Sequence, residues 1–153
     1  MARADLSSVT AGENPEEHLV YLGLGSNLGD RETNLRAAIE QINRLIGVVE
    51  RRSAFYVTEP WGFSSPNKFV NACVASRTVL SPRQVLEATQ QIEKSLGRAA
   101  KSQDGVYHDR PIDIDILLYD DLVIDEPGLR IPHPLMHERE FVMQPLREIW
   151  PLK

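Results

Sequence analysis

An α+β fold with a mainly antiparallel sheet is predicted by three features of the 153-residue chain. The stretch Arg110-Pro111-Ile112-Asp113-Ile114-Asp115-Ile116-Leu117-Leu118-Tyr119 alternates apolar and acidic residues at the strand period. Two segments near 30–47 and 81–97 carry helical periodicity bounded by start and stop signals. Neighbouring strand-like runs are joined by hairpin turns, with helices between others, which suits helices laid on an antiparallel sheet better than a doubly wound parallel one.

Leu19 to Leu24 reads as the first strand, and Gly23, Gly25 and Gly29 punctuate the turn expected after it. Asp30 caps a helix with Leu35, Ile39, Ile42 and Ile46 on one face and Gly47 as its stop. The Gly-x-Gly here is not a dinucleotide fingerprint, because the third glycine is misplaced and no acidic residue ends the next strand. Val48 to Thr58 forms a second strand. Glu59 to Asn67 is a loop too rich in aromatic and apolar residues to be only a solvated connector. Phe69 to Leu80 resumes strand character, and Ser81-Pro82 opens a helix that Gly97 ends. Arg98 to Asp109 is a long polar connection suited to a lid. After the acidic strand, Leu122 to Asp125 returns as a short strand and Pro127-Gly128 turns the chain again. A helix is expected from about Leu135, and Pro145 starts or kinks a last one ending near Trp150.

The formal net charge of -5 argues against an extended nucleic-acid surface, and no stretch is long or apolar enough to span a membrane. Cys73 is the only cysteine, so it is expected as an inert buried thiol in a reducing, cytoplasmic setting. Residues 1–18, which include His18, are expected as a loose tail, and 19–153 as a single catalytic domain.

The acidic strand carries the chemistry. Asp113 and Asp115 project from one face while Ile112, Ile114 and Ile116 fill the other. Their Cα atoms lie about 6.6 Å apart at the strand rise. Two carboxylates about 5 Å apart repel by about 3 kcal/mol at an effective dielectric of 20, so cations are called for. Hard divalent ions sharing oxygens from both residues suit the spacing and the handling of phosphates. The plainer alternative is a strand with one wet face and two solvated aspartates. Leu117, Leu118 and Tyr119 continue the run without polar relief, which points to a central strand. Arg98, Lys101 and Arg110 lie before or at its start, and Arg130 and Arg139 follow, as a polyphosphate site would need.

Trp61, Phe63, Phe69 and Phe141 are candidates to grip a flat heteroaromatic ligand, though any one of them also suits a core. Asn71, between Val70 and Ala72, needs polar partners and suits reading a ring edge. His133 and His137 do not make a zinc pair, because Pro134 spoils a shared helical face and no further ligand completes the set. His133 suits donation to a phosphate oxygen. Three functions fit the residues: metal-assisted phosphoryl transfer, a non-catalytic small-molecule-sensing module, and a metal-dependent phosphohydrolase.

Six ordered blocks carry a resemblance. Gly25-Ser26-Asn27-Leu28-Gly29-Asp30, Thr58-Glu59-Pro60-Trp61-Gly62, Phe69-Val70-Asn71-Ala72, Ile92-Glu93 with Gly97-Arg98, Arg110 with Ile112 to Leu117, and Ile131-Pro132-His133-Pro134 with Met136, Arg139, Phe141 and Val142 together resemble the 6-hydroxymethyl-7,8-dihydropterin pyrophosphokinase family. The resemblance implies a ferredoxin-like α+β sandwich and a monomer. It implies pyrophosphate transfer from ATP to the hydroxymethyl oxygen of 6-hydroxymethyl-7,8-dihydropterin, with release of AMP, in folate biosynthesis. By the same resemblance, Asp113 and Asp115 hold two Mg²⁺ ions, and Arg98 and Arg110 engage the phosphates. Gln90, Glu93, Lys101, Tyr107, Ile116, His133 and Arg139 fall on the ATP side. Thr58, Trp61, Phe69, Asn71 and Phe141 fall around the pterin. Ala100 stands where a second arginine is frequent in the family, and Tyr107-His108-Asp109 replaces a familiar Trp-Gly-Pro.

Overall fold

The computed structural model describes residues 16–59, 68–97 and 111–151. Strands β1 (His18–Ser26), β2 (Gly47–Arg52), β3 (Tyr56–Thr58), β4 (Phe69–Thr78) and β5 (Asp113–Tyr119) make one antiparallel sheet. Its order is β2-β4-β1-β5, with β3 also paired to β4. A hairpin of β6 (Ile124–Glu126) and β7 (Leu129–Ile131) stands apart from it. Helices α1 (Arg31–Leu45) and α2 (Pro82–Ser95) cover one face, and a short 3₁₀ turn (Met136–Glu138) leads into α3 (Glu140–Ile149) on the other.

Strand alternation builds both layers. Val20, Leu22 and Leu24 of β1, Val70 and Val74 of β4, and Ile114 and Ile116 of β5 meet Leu35 and Ile42 of α1 and Val85 and Ile92 of α2. Tyr21, Cys73, Ala75, Leu117 and Leu118 meet Val142, Met143, Leu146 and Ile149 of α3. A bulge explains how Leu117 and Leu118 share a face: Tyr21 pairs with Leu118 and Leu22 with Ile116, so Leu117 is the extra residue. The unbroken apolar run at the end of β5 therefore reflects a bulge and two covered faces. It does not mark a central strand, since β5 pairs only with β1 at the sheet's edge among the described residues.

The helix starts follow the expected caps. Asp30 accepts from Thr33 N at 3.2 Å, and Ser81 and Gln84 form a reciprocal capping box with Pro82 in the first helical turn. Gly97 ends α2 at φ +105°, a conformation that favours glycine. Gly47 acts differently from the expected stop. It opens β2, and a Cβ there would lie 1.9 Å from the Arg77 carbonyl oxygen, so the close approach of two strands requires it.

Several boundaries shift. The run from Val48 to Thr58 is two strands, interrupted at Ser53–Phe55, where Ser53 Oγ accepts from Cys73 N at 2.9 Å. The return strand begins at Ile124, and the last helix begins at Glu140 and contains Pro145. His18 belongs to β1: its Nδ1 lies 2.6 Å from Asp120 Oδ2, while Asp120 Oδ1 accepts from Leu19 N at 2.8 Å. That turn residue, at φ +49°, ties the start of β1 to the end of β5.

Gly47→Ala should lower stability by about 2 kcal/mol, because backbone atoms cannot swing aside as a flexible side chain would. Urea unfolding followed by circular dichroism checks this, and a wild-type midpoint would remove the close-approach explanation.

Candidate active site

Three adjacent strands set the floor of the site. In the pairing register, Gly25 lies between Asn71 of β4 and Asp113 of β5, and Gly23 lies between Cys73 and Asp115. Because each strand alternates faces, these six positions share the α3 side of the sheet. The central strand thus contributes no side chain, while its neighbours raise an amide and a thiol on one flank and two half-buried carboxylates on the other. Asn71 and Asp113 are two strand spacings apart, about 10 Å between Cα atoms, wide enough for a flat ring system to lie on the glycines. Gly23 and Gly25 are therefore interior strand residues facing the site rather than parts of the following turn.

Phe69 and Phe141 line the same cavity as these residues, together with Thr58, Glu59, Leu117 and Arg139. It is partly open to solvent. Asn71 Nδ2 donates to Thr58 Oγ1 at 2.5 Å, which fixes the amide and leaves Oδ1 next to Gly25. The Arg139 guanidinium carbon is 5.7 Å from the Phe141 ring centroid, within cation–π range. α3 brings these two in because Val142, Leu146 and Ile149 anchor it on the sheet.

A second, larger and more open cavity lies past the β5 edge, lined by Gln90, Ile116, His133, Arg130 and the β6–β7 hairpin. Asp115 lines both cavities. The His133 backbone N–H donates to Leu117 O at 3.0 Å, and its Nδ1 accepts from Leu135 N at 3.3 Å. With Nδ1 accepting, a neutral His133 carries its proton on Nε2.

Of the residues expected on the ATP side, Gln90, Ile116 and His133 line this second cavity, whereas Arg139 lines the aromatic one. Glu93 is not among the residues lining either cavity. It is buried, and its Oε2 accepts from Ile114 N at 2.7 Å, holding the peptide between the two aspartates on the outer edge of β5. Trp61, Phe63, Arg98, Lys101, Tyr107 and Arg110 lie outside the described residues, as does the expected lid. Sequence reasoning did not assign Gly23, Gly25, Cys73 or Glu59 to the site. Period-two spacing from Asn71 would have found Cys73, and glycines alternating with Leu22 and Leu24 would have marked the floor.

A glycine-floored slot with aromatic walls thus adjoins a larger, more open cavity, and Asp115 lines both. The family profile described as 7,8-dihydro-6-hydroxymethylpterin-pyrophosphokinase (HPPK) matches residues 21–151. A protein from Porphyromonas gingivalis named 2-amino-4-hydroxy-6-hydroxymethyldihydropteridine pyrophosphokinase is 53% identical over 134 residues, spanning 87% of this chain and 91% of its own. The protein of the same name from Bacillus subtilis is 43% identical, covering 86% and 78% of the two chains. The fold is that of a Plasmodium falciparum HPPK-DHPS crystal structure, with a TM-score of 0.71 at 16% identity. The similarity covers 88% of this chain and 41% of that longer one. The chain belongs to the HPPK family, and its sheet and helices form the ferredoxin-like α+β sandwich.

Cys73, although on the slot's floor, is 1% exposed, and burial pushes its thiol up to about 12. Its Sγ donates to Val142 O at 3.7 Å. A thiol-specific reagent at pH 8 should leave the native protein unmodified and label it once unfolded in urea. Rapid labelling of the native chain, followed by mass spectrometry, would contradict the burial.

Proposed function

We propose that this chain transfers the terminal two phosphates of ATP, as one pyrophosphoryl group, to the hydroxymethyl oxygen of 6-hydroxymethyl-7,8-dihydropterin, releasing AMP for folate biosynthesis. Family membership supports this reaction over a sensing module or a phosphohydrolase. The observation that carries the site assignment is Asp115 on the wall common to both cavities, where acceptor and phosphate donor must meet.

In this reading the pterin lies on Gly23 and Gly25 against Phe69 and Phe141, with Asn71 and Thr58 at its edge. ATP occupies the second cavity, with Gln90, Ile116 and His133 along its wall. The hydroxymethyl oxygen forms a bond to the β-phosphorus as the bond from that phosphorus to the bridging oxygen of the α-phosphate breaks. AMP takes the electron pair, and the hydroxyl proton passes to solvent water. His133 holds its Nε2 proton for a phosphate oxygen, and Arg139 brings positive charge beside the aspartates. The work is positioning and charge neutralisation rather than covalent catalysis.

The residues fit Mg²⁺. Asp113 and Asp115 offer hard oxygen donors on one face, half-exposed toward the cavities. No group of three or more His, Cys, Asp or Glu side chains gathers among the described residues, so a cage built wholly from protein is not there. Magnesium commonly takes one or two carboxylates and completes its shell with water and phosphate oxygens. Two such ions, when bound, would neutralise the triphosphate and lower the cost of charge developing on it. Arg98, Arg110, Lys101 and Tyr107 are assigned to the ATP side, Glu93 to the same region and Trp61 to the pterin side, by their match to the family's sequence blocks. We place the reaction in the cytoplasm and the chain as a monomer. The single cysteine fits a reducing compartment, and the monomer follows from the resemblance to the family.

Incubation with Mg²⁺ and ATP should yield AMP only when the pterin is added; ADP, or AMP formed without pterin, would overturn the reading. Asp113→Asn and Asp115→Asn should each lower the rate of AMP formation at least about 100-fold while preserving the thermal transition. EDTA should stop turnover and excess Mg²⁺ restore it, whereas a rate indifferent to chelation would exclude metal dependence.

A further inference from the structure

We infer that Gly25 is a specificity-determining residue: its missing side chain is what allows Asn71 to present its amide to the heterocycle. The inference rests on the pterin reading above and goes beyond it to a position that touches neither phosphate nor metal.

Gly25 does not have a positive φ, so its backbone conformation is open to any L-residue, and only space restricts it. A Cβ built there would sit 2.8 Å from Asn71 Oδ1 and 3.4 Å from Phe69 Cδ1. One methyl group would thus press on the edge-reading amide and a ring of the slot together. The amide has little room to yield, because its Nδ2 is held by Thr58 Oγ1 at 2.5 Å and Asn71 is only 5% exposed. Rotation about the Asn71 side chain would break that bond or turn the wrong group toward the ligand. A site built to hydrogen-bond a ring edge discriminates strongly against mispairing, since buried polar groups are then left unmatched.

Gly23, one step along the same face, provides the contrast. Its added Cβ would meet Leu117 Cδ1 and Cδ2 at 3.4 and 3.5 Å, the far end of a flexible side chain, with no polar atom among its nearest neighbours. Alanine there would make the floor shallower but leave the amide in place. The two glycines therefore have separate consequences: Gly25 governs how the heterocycle is read, and Gly23 how deeply it sits.

The test measures 6-hydroxymethylpterin binding by fluorescence, with Mg²⁺ and α,β-methylene-ATP present, for wild type, Gly25→Ala, Gly23→Ala, Asn71→Ser and Gly25→Ala with Asn71→Ser. Thermal melts and binding of the ATP analogue accompany each. Gly25→Ala should weaken pterin binding at least about 10-fold, and by more than Gly23→Ala, while melting temperature and analogue affinity stay near wild type. With Asn71→Ser in place, adding Gly25→Ala should cost less than it does alone, because the group it displaces is gone. Equal losses from both alanines, full additivity with Asn71→Ser, or wild-type pterin affinity in Gly25→Ala would each overturn the inference. If wild type itself neither binds the pterin nor makes AMP with it, the pterin reading fails instead.

Discussion

The site depends on one constraint, the antiparallel register of β4, β1 and β5. It brings Asn71, Gly25 and Asp113 into one row and Cys73, Gly23 and Asp115 into the next. A one-residue slip of either outer strand would turn its functional side chains into the α1–α2 core and bring apolar residues to the slot. The register is held by what lies on the reverse face. Leu22, Leu24, Val70, Val74, Ile114 and Ile116 are buried there, and exposing them would be far costlier than the site could repay.

Two further devices protect the acidic strand, which is vulnerable because it lies at the edge. The Glu93 carboxylate reaches from α2 to the Ile114 N–H, occupying an outward donor that an edge strand would otherwise offer to solvent or to another chain. At the other end, Asp120 accepts from Leu19 N and contacts His18. Between these ties the bulge at Leu117 turns consecutive leucines onto α3, helping to seat the helix whose N-terminal end supplies Phe141. The packing against α3 and the geometry of the cavity, on the same side of the sheet, are thus consequences of the same short strand.

Much of this was legible in local sequence. The capping residues Asp30 and Ser81, the stop at Gly97, and the alternation that puts Asp113 and Asp115 on one face all depend on neighbours within a few residues. Phe69, Asn71 and Phe141, weighed separately, do share a cavity with the aspartates. Less legible was anything set by distant partners. The β5 apolar run read as central because composition reports burial, and it cannot distinguish a middle strand from an edge strand covered on both faces. Gly47 read as a helix stop because glycine commonly serves there, whereas the Arg77 carbonyl that excludes a Cβ is 30 positions away in the chain. The seating of α3 puts Arg139 beside Phe141, a contact that no local pattern indicates.

The sequence by itself determined which side chains can act together along each strand, since a period of two is a property of the extended chain. It also determined where the helices begin, since caps are local hydrogen bonds. Tertiary structure decided which strands lie side by side, that the central one presents glycines to the slot, and that one carboxylate borders both cavities. Those outcomes rest on pairing between residues as far apart as Gly25 and Asp113, whose register is fixed by burial over the whole sheet rather than by any short stretch of chain.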